Sequence, residues 1–146
     1  MSDHAKAISV LTVNTLSFIV CFASWMIYGV LITFLVDNGL CNFDKVQMGW
    51  LIGTPVLTGS IIRLPVGIWT DRYGGRIVFA IVMLVSAVSM YCVSLCNTFT
   101  EFLIAGLGFG LAGTSFAVGI AYTSVWFPKE KQGTVLGIFG AGNAGA

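Results

Sequence analysis

Residues 47–69 read QMGWLIGTPVLTGSIIRLPVGIW, an apolar run interrupted by a single charge, Arg63. A bilayer core of roughly 30 Å requires about 20 apolar residues in a helix that rises about 1.5 Å per residue. Residues 47–69 meet that requirement, and so do three other runs at about 8–36, 77–96 and 102–127. The pattern predicts an all-α, polytopic membrane bundle with four complete transmembrane helices.

A fifth apolar run begins near Gly133 and is still apolar at Ala146, the last residue. No polar flank closes this run, so we expect 133–146 to be an incomplete helix. On this interpretation residues 1–146 are the truncated N-terminal transmembrane bundle of a longer protein, and no soluble domain is expected.

The composition limits the possible functions. Apolar residues make up 57% of the chain and charged residues 9%, against roughly 25% charged residues in an average soluble domain. Seven Lys and Arg against six Asp and Glu leave no basic patch of the kind that binds nucleic acid. The sequence shows no nucleophile–base pair, metal cluster or phosphate loop. We therefore expect a membrane protein that is not an enzyme and uses no metal or cofactor.

The basic residues indicate how the helices are oriented. A cytoplasmic N-terminus places five of them inside, namely Lys6, Arg72, Arg76, Lys129 and Lys131. Lys45 then lies outside, and this bias agrees with the positive-inside rule. The sequence predicts a cytoplasmic N-terminus.

Arg63 is unusual because it lies inside an apolar run, eight residues before Asp71 and so about 12 Å from the cytoplasmic end of its helix. A cation at that depth costs from ~3 to over ~10 kcal/mol unless it faces protein, water or an anion. Snorkelling to the cytoplasm is one interpretation. Packing or cavity lining is favoured by the small and polar residues on the same helix face, Gly59, Ser60, Gly67 and Thr70. No acid lies within the runs to pair with Arg63, so its guanidinium is a candidate binder of planar oxyanions.

Small residues recur at helical spacing in the last two runs. They are Gly106, Gly110 and Gly113 in the fourth run, and Gly133, Gly137, Gly140, Gly142 and Gly145 in the fifth. Close packing between helices is the default interpretation, and close approach of a small ligand is the alternative.

Two further residues lie at a depth similar to that of Arg63. Asn143 is about 15 Å from Gly133 along the helix, and Phe116 is about 18 Å from Pro128. Hydrogen bonding between helices is the ordinary role for such an asparagine, and contact with lipid or core for such a phenylalanine. The shared depth, near the midplane where transporter sites commonly lie, predicts that Arg63, Phe116 and Asn143 bind substrate.

The segment after the second run reads GIWTDRYGGR, residues 67–76. It resembles the G-x-x-x-D-R-x-G-x-R loop of the major facilitator superfamily, although Trp69 and Ile77 replace a leucine and a final basic residue often found there. The resemblance implies a tight turn and a charged latch at the cytoplasmic surface. The residues of this expected gating loop are Gly67, Asp71, Arg72, Gly74 and Arg76.

The segment GAGNAG, residues 140–145, resembles the G-x-G-N-x-G signature in the fifth helix of the nitrate/nitrite porter family within that superfamily. That family also carries an arginine in its second helix and an aromatic in its fourth, matched here by Arg63 and Phe116. The resemblance implies a major-facilitator-like N-terminal half that moves nitrate or nitrite by alternating access in the inner or plasma membrane. Arg63 and Asn143 would donate hydrogen bonds to the anion, and Phe116 would form an apolar wall.

Several alternatives stay open at this point. The lack of a carboxylate or histidine within the runs favours anion exchange over proton-coupled uptake. Other possibilities are a facilitator for another small organic anion, or a non-transporting sensor or assembly subunit that binds an anion. The expected partners are the anion, the lipid bilayer and the missing C-terminal half, which in the family supplies a second arginine.

Overall fold

The structure, a computed structural model, describes residues 3–145, with side-chain environments given for 5–143. The described residues form five α-helices and a short 3-10 turn. Their bounds are α1 Asp3–Asp37, α2 Lys45–Tyr73, α3 Gly75–Val93, α4 Phe99–Trp126, α5 Lys129–Ala141 and the 3-10 turn Gly142–Gly145. Four of these helices, α1 to α4, are long and apolar enough to cross a membrane. The expected all-α class agrees with these elements.

Polar caps explain why α2 and α4 begin before their apolar runs. The Asp44 carboxylate accepts a hydrogen bond from the Lys45 amide at 2.8 Å, and the Gln47 side chain accepts one from the Asp44 amide at 3.1 Å. The Glu101 carboxylate accepts hydrogen bonds from the Asn97 and Thr98 amides at 2.7 and 3.0 Å. These acceptors satisfy amides that have no partner within the helix.

Two helices end earlier than their apolar runs. The α3 helix stops at Val93, while the run was expected to continue to residue 96, because the next three amides bond to carbonyls three residues back. The α5 helix stops at Ala141 and tightens into the 3-10 turn, whereas 133–146 was expected to be one helix. In both cases the apolar run therefore extends past the last turn of the α-helix.

The expected loop at 70–76 is reduced to one residue. The α2 helix continues through Tyr73 and α3 begins at Gly75, so Asp71 and Arg72 lie in the last turn of α2. Gly74 separates the two helices with a φ of 86°, a conformation that side chains with a Cβ rarely adopt. A Cβ at Gly75 would overlap the Tyr122 side chain, so α3 starts in close contact with α4.

The α4 helix is the centre of the bundle. Half of the most apolar 18-residue stretch of α4 is buried, against 17% of the corresponding stretch of α1. The α4 helix packs against α1, α2 and α3. Two buried hydrogen bonds join α1 to α4. The Asn14 amide donates to the Thr123 hydroxyl at 3.1 Å, and the Tyr28 hydroxyl donates to the Phe102 carbonyl at 2.6 Å.

The α2 and α4 backbones approach most closely at a pair of glycines. A Cβ built on Gly59 would lie 2.8 Å from the Gly110 carbonyl oxygen. This contact is between two backbones, so neither partner can move aside as a side chain could. Close packing, the default interpretation of Gly110, is therefore what the structure shows.

We expect Gly59→Ala to destabilise the protein, because the added methyl must push α2 away from α4. Overpacking of this kind typically costs about 1–3 kcal/mol, so the apparent melting temperature in detergent should fall by several degrees. Gly53→Ala is the matched control on the same helix, since a Cβ there has no neighbour within 4 Å. A Gly59→Ala protein as stable as the Gly53→Ala protein would contradict the close approach.

Candidate functional site

A cavity of about 180 Å³ lies between α1, α2, α4 and the 3-10 turn. It brings together the three residues that the sequence predicted to bind substrate: Arg63 on α2, Phe116 on α4 and Asn143 on the 3-10 turn. Four more residues line it, namely Phe18, Phe22 and Trp25 of α1 and Gly113 of α4. Residues distant in the chain thus share one small space.

Arg63 supplies a charge that is almost unsatisfied. Its guanidinium Nη2 donates one long hydrogen bond, 3.4 Å, to the Gly113 carbonyl oxygen, and its side chain is exposed in this chain. Among the described residues it forms no ion pair with a carboxylate. A guanidinium carries five N–H donors, so most of its donors remain open to an anion.

Aromatic rings form most of the remaining wall of this cavity. The Phe116 ring centroid lies 5.4 Å from that of Phe18 and 5.9 Å from that of Phe139. The Phe22 ring contacts both Phe18 and Trp25, with centroids 5.7 and 5.6 Å apart. Such a wall offers few competing hydrogen bonds and lowers the local polarity, which strengthens the attraction between Arg63 and an anion.

Sequence reasoning did not identify the contribution of α1. Phe18, Phe22 and Trp25 are spaced four and three residues apart, so they share one face of the helix. That spacing was a usable signal. In an apolar run, however, aromatics at helical spacing are just as expected on a face that packs against other helices or lipid.

Gly142 places Asn143 at the cavity. A Cβ on Gly142 would lie 3.1 Å from a Phe18 ring carbon and 3.2 Å from the Ile19 side chain. The absence of a side chain therefore lets the 3-10 turn approach α1, and Asn143 follows directly. A Cβ on Gly137 or Gly140 would meet nothing within 4 Å. Gly145 ends the turn, and its surroundings lie outside the described side chains.

No group of three or more potential metal-ligating side chains occurs in the part of the chain that the structure describes. The cavity is lined by one cation, one amide and aromatic rings. What this arrangement offers chemically is recognition of a small anion by charge and hydrogen bonds.

Comparison with known proteins identifies the family of this chain. Residues 13–146, nearly the whole chain, match the family model described as Major Facilitator Superfamily. The chain belongs to the major facilitator superfamily. The predicted fold class is thereby confirmed, and the chain is that of a multi-pass membrane protein, with four helices among the described residues that are long and apolar enough to cross a membrane.

The relatives of this superfamily member include proteins named for nitrate and nitrite. The chain is 44% identical over 145 residues to a probable nitrate/nitrite antiporter, NarK1, of Thermus thermophilus. It is 29% identical over 135 residues to a nitrite extrusion protein of Bacillus subtilis, and 33% identical over 135 residues to a probable nitrate transporter, NarT, of Staphylococcus aureus. These matches cover 92–99% of the chain and confirm its resemblance to the nitrate/nitrite porters.

The chain spans about a third of the length of these curated relatives, 32% of the first and 34% of the other two. The cavity around Arg63 is therefore built from residues that match about a third of the length of these relatives.

The superfamily motif between α2 and α3 lies away from this cavity. Arg72 is nine residues after Arg63, about 14 Å along α2, and its guanidinium carbon lies 5.8 Å from the centre of the Tyr73 ring. Arg76, in the first turn of α3, lines a different cavity beside α1. Gly67 and Asp71 do not line the Arg63 cavity either.

Proposed function

We propose that the full-length protein transports nitrate or nitrite across the inner or plasma membrane by alternating access. The observation that carries this proposal is the Arg63 guanidinium, which has no carboxylate partner among the described residues and faces an aromatic cavity that also holds Asn143. Relatives with 29–44% identity are named for nitrate or nitrite transport, which supports the choice of substrate.

Nitrate and nitrite are small, planar anions whose charge is spread over their oxygens. The planar fork of Arg63 matches two of those oxygens at once, which a point charge cannot do. The Asn143 amide supplies a further donor, and the Phe116 ring forms an apolar surface against the plane of the anion. In this mechanism substrate binding requires no covalent step, so the protein acts as a transporter and not as an enzyme.

The residues around the cavity support exchange of one anion for another. No carboxylate or histidine belongs to the cavity lining in the described residues, and such groups are the usual carriers of protons through a membrane protein. We propose that the N-terminus is cytoplasmic, because five basic residues then lie inside and one lies outside. The remaining helices, embedded in the same bilayer, complete the cavity and supply a second cation.

The test is flux in proteoliposomes containing the full-length protein. Vesicles loaded with nitrite should take up labelled nitrate much faster than vesicles loaded with gluconate, and a proton gradient alone should not drive uptake. Competition by formate and acetate separates this proposal from a facilitator of small organic anions. Nitrate binding without any flux would instead identify an anion sensor. Either that result or effective competition by formate or acetate would overturn the proposal.

A further inference from the structure

Trp25 lies at the boundary between two cavities. Its side chain lines the 180 Å³ cavity that contains Arg63 and also a larger cavity of about 550 Å³ between α1 and α2. Among the described residues, Trp25 is the one residue that lines both cavities. The indole is half-buried, so its ring forms part of the wall between the two spaces.

The larger cavity extends from Trp25 toward one surface of the membrane. Its α1 side runs from Trp25 to Asp37, twelve residues or about 18 Å along the helix. Its α2 side includes Ile52 and Pro55, in the first half of that helix. Since α1 ends and α2 begins at the same surface, this cavity leads from that surface to the ring of Trp25.

The indole nitrogen of Trp25 is on the edge of the ring that faces α4. A Cβ built on Gly113 would lie 3.7 Å from Trp25 Nε1, closer than from any other atom outside its own helix. The carbonyl oxygen of the same glycine accepts the hydrogen bond from Arg63. The indole N–H and the guanidinium therefore converge on the same turn of α4.

Among the described residues, the Trp25 ring contacts the ring of Phe22, but its indole N–H donates no hydrogen bond. An indole is a donor only, and in an apolar setting such a donor normally finds an acceptor. An anion held by Arg63 would provide one.

We propose that Trp25 binds the transported anion through its indole N–H and that its ring closes the Arg63 cavity toward the larger cavity. The inference rests on the proposed function and deepens it, because it names a second donor and a barrier on the path of the anion. The ring separates the inner cavity of about 180 Å³ from the larger one, so it also selects against anions too large for the inner cavity.

Trp25→Phe tests the donor separately from the ring. Phenylalanine keeps an aromatic wall and loses the N–H, so the dissociation constant for nitrate, measured calorimetrically on the full-length protein, should rise about tenfold. Trp50→Phe is the matched control, because Trp50 is exposed on α2 and lines neither cavity. Its dissociation constant should equal that of the wild type.

Trp25→Ala tests the barrier. Removing the ring joins the two cavities, so 9-anthracenecarboxylate, an oxyanion whose fused three-ring body is larger than the inner cavity of about 180 Å³, should compete with nitrate in this variant. It should not compete in the wild type or in Trp25→Phe. Equal exclusion of this anion by all three proteins would overturn the role of the ring.

The outcomes separate this inference from the function on which it rests. If the wild type binds neither nitrate nor nitrite, the proposed function is wrong and this inference fails with it. If the wild type binds nitrate and Trp25→Phe binds it equally well, the role of the indole N–H is wrong while the proposed function stands.

Discussion

Arg63→Lys in the full-length protein should lose most nitrate binding, with a dissociation constant about 100-fold higher than that of the wild type. The charge is retained, but an ammonium is a point charge and cannot present two parallel N–H groups to a planar anion. Hydrogen bonds to charged groups contribute about 1.5–3 kcal/mol each, and a 100-fold change corresponds to about 2.7 kcal/mol. Calorimetry with nitrate measures the effect directly, and exchange in proteoliposomes should fall with it.

Two further variants are needed to interpret the result for Arg63→Lys. Arg63→Gln removes the charge as well as the fork and should bind nitrate more weakly still. Lys45→Arg exchanges the same two side-chain types in reverse at the first residue of α2, outside the cavity, and should leave the dissociation constant unchanged. Normal binding by Arg63→Lys would show that the fork of the guanidinium is not used, and Arg63 would then be no more than a local positive charge.

Asn143→Asp should weaken anion binding about as strongly, because it replaces an amide donor with a carboxylate of the same shape. Asn143 and Arg63 line the same cavity of about 180 Å³, so the new negative charge lies close to the bound anion and can also pair with Arg63. Like charges about 4 Å apart repel by about 1 kcal/mol in bulk water and by about 4 kcal/mol near a protein surface, so we expect a loss of about 100-fold.

The isosteric change makes this variant informative. Asn42→Asp is the matched control, since Asn42 is exposed in the segment between α1 and α2 and lines no part of the cavity. It should bind nitrate like the wild type. If Asn143→Asp also binds normally, Asn143 serves the packing of the 3-10 turn against α1 and not the anion.

Much of the fold follows from the linear pattern because hydrophobic length is a local property. Runs of about 20 apolar residues specify membrane-spanning helices whatever surrounds them, and four such helices appear in the structure. The ends of the helices were less predictable. Whether a polar residue continues a helix, as Asp71 and Arg72 do in α2, depends on the cap at Gly74 and on the contact of Gly75 with Tyr122.

The candidate site was predicted in part. A lone arginine in an apolar run attracts notice because burying a charge is costly, and depth along each helix placed Phe116 and Asn143 near it. Depth does not determine which way a side chain faces. The aromatic residues of α1 were therefore missed, since rotation of α1 about its own axis is set by its packing on α4 through Asn14 and Tyr28.

The sequence by itself determined that this protein has several runs long enough to cross a membrane and that one of them carries an arginine, Arg63, because both conclusions depend only on residue type and on the rise of a helix. Only the tertiary structure decided that Arg63, Phe116 and Asn143 line one cavity. The reason is the close approach of the helices, at Gly59 and Gly110 between α2 and α4 and at Gly142 between the 3-10 turn and α1. Where backbones meet without side chains between them, residues far apart in the chain come to line one small cavity.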